Sequence, residues 1–218
     1  MLMVSESPRV MRTEDTFIRT YTGRKFWPLD PKPEEVAIED VAHALSLICR
    51  FTGHTYCFYS VAEHSLRVSH LVEKLALSDW RKLVGKATGE HSWARKVALW
   101  GLLHDASEAY LCDLPSPIKR APGIRQIYKV VEAHLMESIA VHFDLTPHEP
   151  ALVKDADRIL LNTEMRDLMT DCIPYEGYEP LPETIYPMDA QHAEVEFMRR
   201  FEALSKAIEA ERIADSLG

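Results

Sequence analysis

An all-α bundle with a small β-hairpin or extended arm at its N-terminal end is the fold the sequence predicts. Three observations point there. The chain has 218 residues but only 8 glycines, few for a protein built from short strands and tight turns. Apolar residues recur at helical spacing in one segment after another. Prolines and capping residues fall between those segments rather than within them.

Taken in order, Thr16 to Trp27 (TFIRTYTGRKFW) is β-branched and aromatic around Gly23 and reads as the hairpin or arm. Pro28, Pro31 and Pro33 then break the chain, so residues 1–33 are expected to form the arm and residues 34–218 the helical domain. A helix is expected over about Glu34 to Arg50, ending near Gly53. Ser60 and Glu63 fit a capping box that opens the next helix, whose face carries Val61, His64, Val68, Leu71, Val72 and Leu75. Ser78 to Ser92 is polar and holds Gly85 and Gly89, and reads as a short helix plus loop. Trp93 to Leu111 reads as a central helix, stopped by Pro115 and Pro117. Ile124 to Asp144 is a further helix. Another is expected from Thr146-Pro147 to about Thr170, bent or restarted at Pro150. Asp171 to Pro187 contains four prolines and reads as loop. Asp189 to Leu217 closes the chain as a charged amphipathic helix.

Composition narrows the function. With 46% hydrophobic and 27% charged residues the chain is globular, and its longest apolar run, Val97 to Leu103, is far too short to span a membrane. Met1 to Arg12 lacks the apolar stretch and cleavage site of a secretory signal, so a cytoplasmic location is expected. The four cysteines form no CxxC pair, which argues against a zinc ribbon or a disulfide framework; reduced thiols, mostly in packing roles, are expected. A net charge of −9 argues against broad nucleic-acid binding, which needs a basic face. A phosphate ligand would need positive charge supplied locally, by a metal ion or a few placed Lys and Arg.

The strongest local signal is Leu102-Leu103-His104-Asp105-Ala106-Ser107-Glu108, an adjacent His and Asp in an apolar helical stretch. Polar side chains on a core-facing stripe cost several kcal/mol unless they are paired or bind a cation. His64 and Asp157 are two further anomalies, each on the apolar face of its own helix. Two imidazoles and two carboxylates, with no thiolate, suit one borderline divalent ion with open positions for water or a phosphate oxygen. Each residue alone also fits a bland reading: a satisfied core histidine, a cap, a salt-bridge partner. The combination in the order H…HD…D favours the metal site.

That order resembles the HD phosphohydrolase superfamily, a helical fold with one or two metals. His104 to Lys119 (HDASEAYLCDLPSPIK), Ser60 to Val68 (SVAEHSLRV) and Val153 to Arg158 (VKDADR) are similar to the HD-domain 5'-deoxynucleotidases and the phage-type dATP triphosphohydrolases, and Thr20 to Phe51 resembles longer bacterial and phage members. The resemblance implies that His64, His104, Asp105 and Asp157 hold one divalent ion, of Mn, Co, Ni, Fe, Zn or Mg. It implies that Glu108 acts on water near the phosphate and that Asp113 is a second catalytic acid. Arg50 would grip phosphate, with Phe51, where relatives often carry Trp, as a stacking surface, and Lys119 would reach outer phosphates. The structural alternatives are that Glu108 orients a ligating His, Asp113 caps the turn at Leu114-Pro115, Arg50 ends its helix and Lys119 is solvated. Thr163, Glu164 and Arg166 follow Asp157 and are candidates to line the pocket or a subunit contact.

The implied reaction is hydrolysis at the 5' position of a (deoxy)nucleotide, releasing nucleoside plus phosphate from a monophosphate or triphosphate from a triphosphate. A homo-oligomer acting on a small nucleotide, with no nucleic-acid or membrane partner, is the expected setting. The competing readings are an HD phosphodiesterase acting on a cyclic nucleotide or an alarmone, and a non-catalytic metal- or nucleotide-binding module.

Overall fold

The computed structural model describes residues 12–83 and 90–217. Met1 to Met11 and the glycine-containing part of the Ser78–Ser92 segment, including Gly85 and Gly89, lie outside the described residues. The fold is a helical bundle with one tiny hairpin. Strands β1 (Ile18–Arg19) and β2 (Lys25–Phe26) pair antiparallel, with Ile18 opposite Phe26. The helices are α1 (Ile38–Leu47), α2 (Val61–Leu83), α3 (Glu90–Leu103), α4 (Glu108–Leu111), α5 (Ser116–Lys119), α6 (Ile124–His142), α7 (Ala151–Leu168) and α8 (Ala190–Leu217). No helix among the described residues is long and apolar enough to cross a membrane.

The hairpin is docked onto the bundle. Phe26 is fully buried and stacks on Tyr110 of α4, with ring centroids 3.9 Å apart. Asp40 of α1 accepts from the Thr22 amide at 2.7 Å and the Thr22 hydroxyl at 3.0 Å, which pins the turn.

The centre of the bundle is the α2–α3 pair, flanked by α7 and α8. Gly101 explains how closely the pair packs: a Cβ there would lie 2.8 Å from Val72 Cγ1 and 3.3 Å from the Ser69 Cα. The Ser69 hydroxyl donates to the Ala98 carbonyl at 2.8 Å across the same contact. His64 lies about a turn before Ser69, and His104 about a turn after Gly101. The close helix approach therefore sets how near the two imidazoles can come.

Several element boundaries differ from the sequence expectation. The helix expected to reach Arg50 ends at Leu47, and Arg50–Gly53 forms a separate 3₁₀ turn. The capping box is half formed: the Glu63 amide donates to Ser60 Oγ at 3.1 Å, but the Glu63 carboxylate turns to Arg67 and to the Met188 amide. Helix α2 runs on to Leu83, into the segment read as a separate short helix plus loop. The expected central helix is broken at His104–Ser107, and α4 starts anew at Glu108. The chain stops α4 before Pro115 and Pro117, as expected, and then makes one more helical turn, Ser116–Lys119, with proline in its first turn. Helix α7 begins at Ala151 with Pro150 as its N-cap, so Thr146-Pro147 lies before it. The four cysteines are free, but Cys57 and Cys112 are exposed rather than packed.

Candidate metal centre

Three separate pieces of backbone deliver the site. His64 sits one turn into α2, its amide donating to the Ser60 carbonyl, and its side chain is fully buried. His104 and Asp105 stand in the irregular turn that ends α3. A helix C-terminus leaves carbonyls without intrahelical donors. One of them, Gly101 O, lies 2.9 Å from His104 Nδ1. A carbonyl only accepts, so Nδ1 carries the proton and Nε2 points away from the helix with its lone pair. Asp157 comes from the second turn of α7.

These side chains converge. His64 Nε2 lies 3.3 Å from His104 Nε2, 3.6 Å from Asp105 Oδ2 and 3.2 Å from Asp157 Oδ1. His104 Nε2 lies 3.2 Å from Asp105 Oδ2. Donors at ~2.1 Å from one ion and roughly at right angles or tetrahedral to each other stand about 3.0–3.4 Å apart. The spacing of His64, His104 and Asp105, whose ligand atoms lie within 4.8 Å of one another, fits a single cation. Asp157 adjoins this group through His64.

The electrostatics ask for positive charge at that point. Burial works against protonated His104, yet Asp105 and Asp157 outweigh it and push its pKa up to about 10. His64 is raised in the same way: burial and Arg50 oppose its charge, and Glu164 and Asp157 overcome them. Asp105 is held well below the usual carboxylate range: burial opposes its charge, and His104, His64 and Arg50 prevail. The same acidic surroundings would favour a divalent cation held between the two Nε2 atoms.

Arg50 reaches the site because the chain folds back there. The Arg50 amide donates to the Tyr59 carbonyl at 2.9 Å, and the Val61 amide to the Ile48 carbonyl at 3.0 Å. Its guanidinium stands 3.1 Å from Glu164 Oε2 and 3.6 Å from Asp105 Oδ2. The Phe51 ring centroid is 5.3 Å from the guanidinium carbon, so the ring lies against Arg50.

Glu108, the first residue of α4, is buried. Its Oε1 accepts from Lys119 Nζ at 3.0 Å, and its Oε2 is buried without a hydrogen-bond partner among the described residues. Burial first, then the Asp105 and Asp113 charges, push its pKa up to about 8, against the pull of Lys119. Asp113 follows Cys112, which turns the chain with a φ of 66°. It does not cap the next turn, since α5 has Pro115 at its N-cap and no side-chain cap bond. Lys119, expected at outer phosphates or in solvent, is tied to Glu108 and lies 3.5 Å from Glu132.

Of two further partners, Glu164 was a candidate pocket residue from sequence and Tyr59 was not. Glu164 is fully buried against His64, Tyr59 and Arg50. It stands seven residues after Asp157, on the same face of α7, and this spacing was the available signal. Tyr59, whose hydroxyl donates to Glu164 Oε1 at 2.9 Å, gave no signal.

Residues 40–163 match the family described as 5'-deoxynucleotidase YfbR-like. The chain is 35% identical over 197 residues to the protein YfdR of Escherichia coli (strain K12), covering 88% of this chain and 97% of that one. It is 36% identical over 116 residues to a 5'-deoxynucleotidase of Vibrio atlanticus (strain LGP32), covering 46% of this chain and 57% of that relative. Among solved structures, a cyanophage S-2L HD phosphohydrolase (DatZ) bound to dA and one catalytic Zn2+ ion aligns over 77% of this chain and 95% of its own, at 21% identity and a TM-score of 0.44.

Proposed function

The chain belongs to the YfbR-like 5'-deoxynucleotidase family, and from that membership we propose that it hydrolyses the 5'-phosphate ester of a deoxynucleoside monophosphate, releasing nucleoside and phosphate. The observation that carries the reading is the meeting of His64, His104 and Asp105, with Asp157 against His64, beside the half-buried Arg50 and the buried Glu108 carboxyl.

In this reading His64, His104, Asp105 and Asp157 hold one divalent ion. When bound, such an ion supplies Lewis acidity at a phosphate oxygen and a fixed point for orienting it. Arg50 grips a second phosphate oxygen with a charge that stays on at every working pH. Phe51 offers an apolar surface beside it. Glu108 takes the proton from the attacking water; a carboxylate titrating near 8 is a far better base than one near its ordinary 4.5. Asp113 helps the 5' oxygen leave. Lys119, held by Glu108 and Glu132, is not free to reach a second or third phosphate, which favours a monophosphate over a triphosphate.

The test is a screen of purified protein with Mn, Co, Ni, Fe, Zn and Mg against dNMPs, NMPs, dNTPs and cyclic nucleotides, reading phosphate and triphosphate release. Phosphate release from dNMPs that depends on the ion is the expected result. Turnover of cyclic substrates alone, or of none, would sink the proposal.

A further inference from the structure

We infer that Glu164 is a positioning residue that aims both His64 and Arg50, and so ties metal affinity to phosphate affinity; the inference rests on the metal-dependent reading of the site. Glu164 is fully buried, and its two oxygens are fully engaged. Oε1 faces His64 Nδ1 at 2.6 Å and the Tyr59 hydroxyl at 2.9 Å. Oε2 takes Arg50 Nε at 3.2 Å and has the Arg50 Nη2 at 3.1 Å. A carboxylate has about four acceptor positions, so this one has none left for an ion or a substrate. It acts only through its neighbours.

Each neighbour is changed by it in a defined way. A carboxylate on Nδ1 keeps the proton there, leaves the Nε2 lone pair free and makes that nitrogen more basic. On the other side, Glu164 holds one edge of the guanidinium. The remaining nitrogen, Nη1, then lies toward Asp105 at 3.6 Å, on the side where a phosphate would arrive. A buried carboxylate is tolerated only with its charge partners in place, so neither His64 nor Arg50 can relax independently of the other.

Glu164→Gln is nearly the same shape but cannot serve both partners. If its amide nitrogen faces Arg50, two donors meet. If it faces His64, Nδ1 must accept, and the imidazole proton moves to Nε2, where the ion would bind. The expected results are a fall in Zn2+ affinity of about 10–100-fold by chelator competition, and weaker binding of inorganic phosphate to the Zn2+-loaded protein. Tyr59→Phe leaves the carboxylate and its other contacts intact and is expected to keep wild-type Zn2+ affinity. Glu164→Gln that binds Zn2+ and phosphate as the wild type does overturns the inference. Wild type that binds no divalent ion overturns the underlying reading instead. Should Glu164→Gln fail to fold, proton NMR of the wild type decides. A strongly deshielded His64 Nδ1 proton that persists on adding Zn2+ supports the inference, and its absence refutes it.

Discussion

Helix α7 carries buried polar groups on two faces, and the two faces have opposite fates. On one, Asn162, Thr163 and Asp167 stitch the 171–187 loop to the bundle. Asn162 donates to the Tyr175 and Tyr178 carbonyls and accepts from the Tyr175 amide. Thr163 accepts from the Leu181 amide, and Asp167 from the Ile185 amide. Arg166 adds donors to the Leu181 and Glu183 carbonyls. Every partner in the loop is a backbone group, and Asp167 also accepts from the Arg166 side chain, so this face is finished by folding alone. On the other face, Glu164 is saturated, but Asp157 leads to two imidazoles whose Nε2 atoms point at each other. In the proposed reading a divalent ion completes that face. Buried polarity alone does not mark function; acceptors converging on one point do.

The contrast breaks most sharply under metal removal. Dialysis against a chelator is expected to abolish nucleotidase activity, with recovery on adding a divalent ion, while far-UV circular dichroism stays unchanged. Activity that survives exhaustive chelation, verified by elemental analysis, would mean the converging face is complete without an ion.

The next effect separates catalysis from binding. Glu108→Ala is expected to lower kcat by about 10²–10⁴-fold, with metal content retained. The pH dependence has a definite sign. A base must be unprotonated, so kcat/KM should rise with pH up to a limb at or below about 8, since a bound cation pulls the Glu108 value down. Glu108→Gln should erase that limb. Stability runs the other way. Folding raises the Glu108 pKa from 4.5, so the folded state prefers the protonated form, and the metal-free protein loses stability from this group as pH climbs between those values. Thermal melts of wild type and Glu108→Gln across that range measure the difference.

The same contrast explains what was legible in the sequence. His64, His104 and Asp157 stood out because each interrupts an apolar stripe at helical spacing, and a stripe predicts direction. Glu164 obeys the same rule two turns beyond Asp157, but a single Glu between leucines gives no hint that it holds an arginine from a distant turn. The break at His104–Ser107 was not legible, because LLHDASEAYL keeps apolar residues at helical spacing and holds no Gly or Pro. It is observed where His104 turns back to Gly101 O, at the point where Gly101 packs closely on α2. Arg50 read as a helix end, and its true setting depends on the return of Tyr59 and Ser60 beside it. The loop-facing side of α7 left no pattern, because its partners are backbone groups of a proline-rich segment with no periodicity.

On that face the expected cost is stability without chemistry. Asn162→Ala strips the partners from buried Tyr175 and Tyr178 backbone groups and should cost about 1–3 kcal/mol in urea unfolding. Zn2+ affinity and kcat should remain those of the wild type. A variant of normal stability with damaged turnover would place the loop in the active site and blur the division between the two faces.

The smallest effect concerns Lys119, which lies between the two kinds of polarity. Its ammonium is satisfied by Glu108 and Glu132, as on the finished face, yet one of those partners belongs to the reacting centre. Lys119 stabilises the charged form of Glu108, so Lys119→Met should move the rising limb of kcat/KM to higher pH. It should leave KM for a monophosphate nearly unchanged above that limb, because the lysine is already occupied. A marked rise in KM with an unmoved limb would instead make Lys119 a phosphate contact. The distinction is decided by which quantity moves, because a residue that tunes a base acts on a proton equilibrium and one that grips substrate acts on binding.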